Sequence, residues 1–279
     1  MDFAILMAKG IAAAVGLGLV LIVTGSLLLR KKTPALRAGL GAPGAMLGFV
    51  AGSLVFWGWP GIWPAEAWQM PVIDAIAAAV LVTPAAMMRR IWRWPLLVVG
   101  LCIITALTVR EKLTPRELFI PAMAGAMALY LLALQPAVRV ARLWLTAIGP
   151  LFLSTFGAVL VVMLYVDQNS GRMLILLCAM SGMLIGSGAI PPLRDAGRGG
   201  IEATALLYAA VLALAAFYNY ALPNPVFILL AIAPLGSVAG WIPGLNKRPW
   251  ISAVVAMIIT LAIVAPAIWI AVKNAPSFE

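Results

Sequence analysis

The sequence predicts an all-α fold, a polytopic transmembrane helical bundle of about ten spans forming a single domain over residues 1–279. Three observations predict it. Hydrophobic residues make up 64% of the chain and charged residues 10%, with a mean hydropathy of +1.08, against roughly 45–50% and about 25% in a soluble domain. Ten apolar stretches recur, each near the ~20 residues that a helix needs to cross a bilayer. The Lys and Arg between them favour alternate loops.

The spans fall at 4–29, 39–58, 70–88, 93–109, 118–135, 144–166, 173–191, 202–221, 225–242 and 250–272. The first is preceded by Asp2, contains Lys9 as its only early cation, and is followed by Arg30-Lys31-Lys32. Positive charge after the run reads as a first helix with its N-terminus outside, not as a cleavable signal. The second carries Gly44, Gly48 and Gly52, spaced by four on one face, where a neighbouring backbone can approach closely. The third opens near Asp74 and contains Pro84. Spans four and five are short enough to tilt differently or to lie partly at the interface. Span six contains Pro150, and span seven carries Gly182 and Gly186 and ends at Pro191-Pro192. Span eight begins at Glu202 after Arg194-Asp195-Ala196-Gly197-Arg198-Gly199-Gly200. That stretch reads as a flexible loop, with the acid complementing a helix N-terminus. It is no phosphate loop, since the Gly-Lys-Ser/Thr ending and a preceding strand are both missing. Span nine follows Pro223-Asn224-Pro225 and contains Pro234, and span ten contains Pro266. Each such proline removes a backbone donor and frees a carbonyl.

Loops after odd-numbered spans hold thirteen Lys and Arg and the opposite side holds six, which places both termini on the non-cytoplasmic side of a multi-pass protein of the bacterial cytoplasmic (inner) membrane. The ten Trp sit towards span ends and none at a midpoint, as indole rings in the headgroup zone do. Ten spans divide into five plus five, and an odd number per half inverts one half relative to the other. The second span of each half carries close-spaced glycines.

The net charge of +10 does not point to nucleic acid. The cations lie in short clusters at span ends, where they orient the chain and meet lipid headgroups. Cys102 and Cys178 lie inside apolar spans and suit neither a disulfide framework nor a metal cage, and His is absent. No catalytic residue, metal site or cofactor is expected. The partners expected are the lipid bilayer and either other membrane subunits or further copies of the chain.

Three ionisable residues are the candidates for function. Asp74 lies about a turn inside span three, and an acid at that depth is costly unless paired or wet. Glu66 is presented by the stiff Pro- and Trp-rich turn before it, and Arg110 lies on the same outer face. A structural ion pair and a coupling or binding role are both open for them. For Gly44, Gly48, Gly52, Gly182 and Gly186, helix packing is the expectation.

The stretch GWPGIWPAEAWQ (58–69), the stretch YNYALPNPVFILLAIAPLGSVAGW (218–241) and the basic-Pro-Trp turn opening span ten resemble a family of polytopic membrane proteins of planctomycete-type bacteria. The resemblance implies a Gly-Trp-Pro turn after span two and a late aromatic, Leu-Pro turn. It implies no activity and therefore no catalytic residue.

Function is less legible than location. Ten spans with almost no soluble mass suit a small carrier or permease. Because few ionisable residues lie deep, its solute would be neutral or apolar, with Asp74 the one good coupling group. The alternative is a non-enzymatic structural or assembly subunit of a larger membrane complex. An intramembrane enzyme is disfavoured, since paired aspartates, an H-E-x-x-H motif and a Ser/His arrangement are all missing.

Overall fold

A computed structural model describes residues 3–31, 34–58, 69–88, 90–109, 119–139, 143–165, 168–218 and 223–275. Among them there is no strand. Ten α-helices run in order: α1 (Phe3–Leu28), α2 (Pro34–Trp57), α3 (Met70–Ala85), α4 (Arg90–Val109), α5 (Phe119–Arg139), α6 (Trp144–Leu164), α7 (Gln168–Ala189), α8 (Pro191–Tyr218), α9 (Asn224–Ile232) and α10 (Pro249–Lys273). A nine-residue 3₁₀ segment, Ala233–Trp241, continues α9. Seven stretches are long and apolar enough to cross a membrane: α1, α2, α6, α7, α8, α9 with its 3₁₀ continuation, and α10. The apolar parts of α3, α4 and α5 are shorter.

Side-chain bonds fix which helix ends lie together. Arg37 binds Asp195 and Arg93 binds Glu202, so α2, α4 and α8 begin at one end of the bundle. Trp57 donates to Asn169, and Tyr165 donates to the carbonyl of Ala271, so α2, α6 and α10 finish at the other, where α7 begins. Thr108 meets Asp74 at 2.7 Å, joining the end of α4 to the start of α3. Tyr130, in the later half of α5, donates to the Ala147 carbonyl near the start of α6, so consecutive helices from α2 to α8 alternate in direction.

The central pillar is α8. Its residues 199–217 are all buried, packed chiefly by α2 and α7 and also by α3, α4 and α5. By contrast α1 and α10 lie at the periphery and expose apolar faces, including Leu17, Val20, Val254 and Ile258. An apolar helix face turned outward is what a hydrocarbon solvent permits.

The glycines explain how α1, α2 and α8 come so close. A Cβ on Gly48 would lie 2.5 Å from the Ala14 carbonyl oxygen, one on Gly52 2.9 Å from that of Gly10, and one on Gly18 3.1 Å from that of Gly44. The stripe on α2 thus meets a matching stripe of Gly10, Ala14 and Gly18 on α1. Neither face admits a larger side chain without separating the backbones.

One expectation is corrected here. Residues 194–200 do not form a flexible loop; they are the second to third turns of α8, which begins at Pro191. Glycine costs about 1 kcal/mol in a helix relative to alanine, but here the missing side chains are used. A Cβ on Gly199 would overlap the Ala38 carbonyl, and one on Gly200 would lie 3.0 Å from that of Gly41. The Gly199-Gly200 pair lets α8 lie directly on α2. Glu202 consequently sits three turns into the helix and not at its N-terminus.

Pro234 breaks span nine where it stands. The α-pattern gives way to 3₁₀ geometry from Ala233 onward, as expected where a ring replaces a backbone donor. Pro150 and Pro266 are accommodated inside continuous helices.

Candidate functional site

Among the described residues, acidic side chains occupy two places. At the end where α2, α4 and α8 begin, Arg93 Nη2 lies 2.6 Å from Glu202 Oε2, and Glu202 is fully buried. Beside this pair, Asp195 accepts from Arg37 at 3.0 Å and from Arg198 at 3.4 Å. Both acids are therefore compensated. This layer holds the starts of α2, α4 and α8 together and leaves no buried acid there without a cation.

Asp74 occupies the other place and is surrounded differently. It is fully buried on the face of α3 that also carries Met70, Ala78 and Val82. Among the described residues no Lys or Arg forms an ion pair with it. Its Oδ2 lies 2.7 Å from Thr108 Oγ1, and its Oδ1 has no hydrogen-bond partner. Thr108 Oγ1 also lies 2.9 Å from the Ile104 carbonyl.

A hydroxyl carries one proton, so Thr108 cannot donate to both acceptors. A neutral carboxyl resolves this: Asp74 donates to Thr108, and Thr108 donates to Ile104. An ionised Asp74 would take the Thr108 proton for itself and keep an uncompensated charge out of water, which costs several kcal/mol. The arrangement can hold a proton and can release it only if water or a cation reaches Oδ1.

Of the other candidates, Glu66 and Arg110 lie outside the described residues. Gly44, Gly48 and Gly52 face α1 as described above. A Cβ on Gly182 would lie 3.8 Å from the Phe152 ring, and one on Gly186 would meet nothing within 4 Å, so neither marks a close approach on α7. At Gly188, by contrast, a Cβ would overlap the Trp144 ring.

Sequence reading missed Thr108, because a lone threonine near the end of an apolar run carries no signal. It also missed the Arg93–Glu202 pair. A signal existed for that one: the two residues open predicted spans four and eight, which begin on the same side.

Hollows lined by described residues include three of note. One of about 400 Å³ opens between α2 and α3 beside Leu47 and Val80, and one of about 460 Å³ lies along α4 beside Trp92 and Val99. Both are apolar and face outward. The third, about 160 Å³, is lined by Trp144, Leu145, Arg194, Pro249 and Trp250. None of the three is lined by Asp74. No protein-family model, curated protein or solved structure matches the chain.

Proposed function

We propose that this chain is a small carrier for a neutral or apolar solute, that it crosses a bacterial cytoplasmic membrane ten times with both termini on the non-cytoplasmic side, and that Asp74 couples transport to protons. The observation that carries the reading is the fully buried Asp74, joined to Thr108 and lacking a second partner among the described residues. Buried carboxyls without a cation are the groups through which proton-coupled carriers work. The solute would be uncharged because the other buried acids are already paired. The ninth crossing is interrupted at Pro234, and interrupted helices supply the carbonyls and hinges on which alternating access relies.

Ten crossings require α3, α4 and α5 to span as well, and their alternation in direction with the seven longer stretches supports this. A five-plus-five inverted repeat would make α2 equivalent to α7 and α3 to α8. Both pairs pack together, whereas α6 packs extensively on α10 without an equally close α1–α5 pair among the described residues. Any repeat is therefore unequal in its two halves.

The test is reconstitution of the purified chain into liposomes with a pH-sensitive dye inside, followed by a panel of sugars, polyols and uncharged amides. At least one solute should drive proton movement with the wild type and none with Asp74→Asn. Absence of movement with every solute, together with a stoichiometric partner retained in mild detergent, would overturn the carrier. Such a result would favour an assembly subunit, a reading supported by the apolar outward faces of α1 and α10.

A further inference from the structure

At the end of the bundle where α6, α8 and α10 begin, the hollow of about 160 Å³ differs from the two others in being partly polar. Its single charged lining residue is Arg194. Both nearby acids are engaged elsewhere, Asp195 with Arg37 and Arg198, and Glu202 with Arg93. Arg194 itself forms no ion pair among the described residues. Its Nε donates to the Gly188 carbonyl at 2.8 Å, which leaves the two terminal nitrogens of a fixed guanidinium for another group.

The walls are fixed too. Gly188, whose carbonyl holds Arg194, has no side chain, and the Trp144 ring occupies the space a Cβ would fill. Trp250 also lines the hollow and is largely exposed. Two helices, α6 and α10, begin at the rim with no side-chain cap and no acid in the first turn, so their partial positive ends are uncompensated. Lys247 and Arg248 on the preceding turn add to the same field. From the rim, Ile251, Val254, Ile258 and Leu261 run along the outward face of α10 as exposed apolar side chains.

A fixed cation in a hollow larger than the ~30 Å³ share of one water, flanked by indoles and continuous with an apolar track, matches an amphiphile with an anionic head. We propose that this hollow binds the phosphate headgroup of an anionic phospholipid, with Arg194 on the phosphate and an acyl chain along α10. Basic pockets between helices at the membrane surface take such headgroups. A free phosphate shares the head chemistry but has no use for the track.

The experiment is native mass spectrometry of the full chain in detergent, titrated separately with short-chain phosphatidylglycerol, phosphatidylcholine of the same acyl length, and inorganic phosphate. Phosphatidylglycerol should be retained in preference to the other two. Arg194→Gln should weaken that retention about fivefold, the effect of one cation on an anionic headgroup. Leu145→Glu, which places an acid in the hollow and leaves the Arg194–Gly188 bond intact, should weaken it as well. Arg194→Gln is read at unchanged elution in size exclusion; should it fail to fold, Leu145→Glu decides alone. Equal retention of phosphatidylcholine, or unchanged retention in Leu145→Glu, would overturn the proposal. Arg194-dependent binding of inorganic phosphate at least as tight as that of the lipid would assign the hollow to a soluble anion and overturn the lipid.

Discussion

The Tyr208 hydroxyl donates to the Leu230 carbonyl at 3.0 Å, and Pro234 is the reason that carbonyl is free. In an α-helix the oxygen of residue 230 accepts from the amide of residue 234. Residue 234 is proline and has no amide hydrogen. The orphaned acceptor points into the bundle, where no water would satisfy it, and the fully buried Tyr208 of α8 supplies the missing proton. The break between α9 and its 3₁₀ continuation is thus supported from the central helix.

Replacing Tyr208 by phenylalanine keeps the ring and removes the donor. An unsatisfied buried carbonyl costs about 1–3 kcal/mol, so Tyr208→Phe should lower thermal stability in detergent by that amount. In a Pro234→Ala background the amide returns, and the same substitution should cost measurably less. Equal losses in both backgrounds would mean that the hydroxyl serves some other acceptor.

The Arg93–Glu202 pair makes a second prediction. Removing one member of a buried pair leaves the other charge uncompensated and typically costs about 3–5 kcal/mol, whereas replacing both by apolar residues is often neutral. Glu202→Gln alone should therefore destabilise strongly, and Arg93→Met with Glu202→Leu should recover most of the loss. Thermal denaturation of the three variants in one detergent measures both effects.

Asp74 behaves differently if it is neutral in place. Asp74→Asn preserves its size and its bond to Thr108, so the melting temperature should stay at or above that of the wild type. Thr108→Val should instead cost about 1–3 kcal/mol by orphaning the carboxyl. A loss of about 3–5 kcal/mol in Asp74→Asn would indicate a broken ion pair, with Arg110, two residues beyond Thr108, the first cation to test.

Much of this architecture can be read from residue types. Helical class and most helix positions follow from apolar runs bounded by Trp, Arg and Pro, because lipid requires each backbone group to be satisfied within its own segment. The stretch 194–200 could not be read. Three glycines and three charges in seven residues have the composition of a loop, and only contact with the α2 backbone turns them into helix. The α1 half of the glycine stripe was hidden for a related reason: Gly10, Ala14 and Gly18 stand among so many small apolar residues that their spacing by four does not stand out. Burial of Asp74 was foreseeable from its depth. Its hydrogen-bond partner was not, because pairing across two helices depends on their rotation about their axes, which apolar runs leave open.

The glycines themselves provide the sharpest contrast in packing. At Gly48 a Cβ would press on the Ala14 carbonyl, a backbone atom that cannot turn aside, while at Gly186 the same atom would meet open space. Gly48→Ala should therefore separate α1 from α2 and destabilise by about 1–3 kcal/mol, the usual cost of overpacking. Gly186→Ala adds no contact and removes the entropic cost of a helical glycine, so it should stabilise by up to about 1 kcal/mol. Thermal melts of both variants in detergent settle the point. Equal effects at the two positions would show that the α1–α2 crossing is looser than the distances above require.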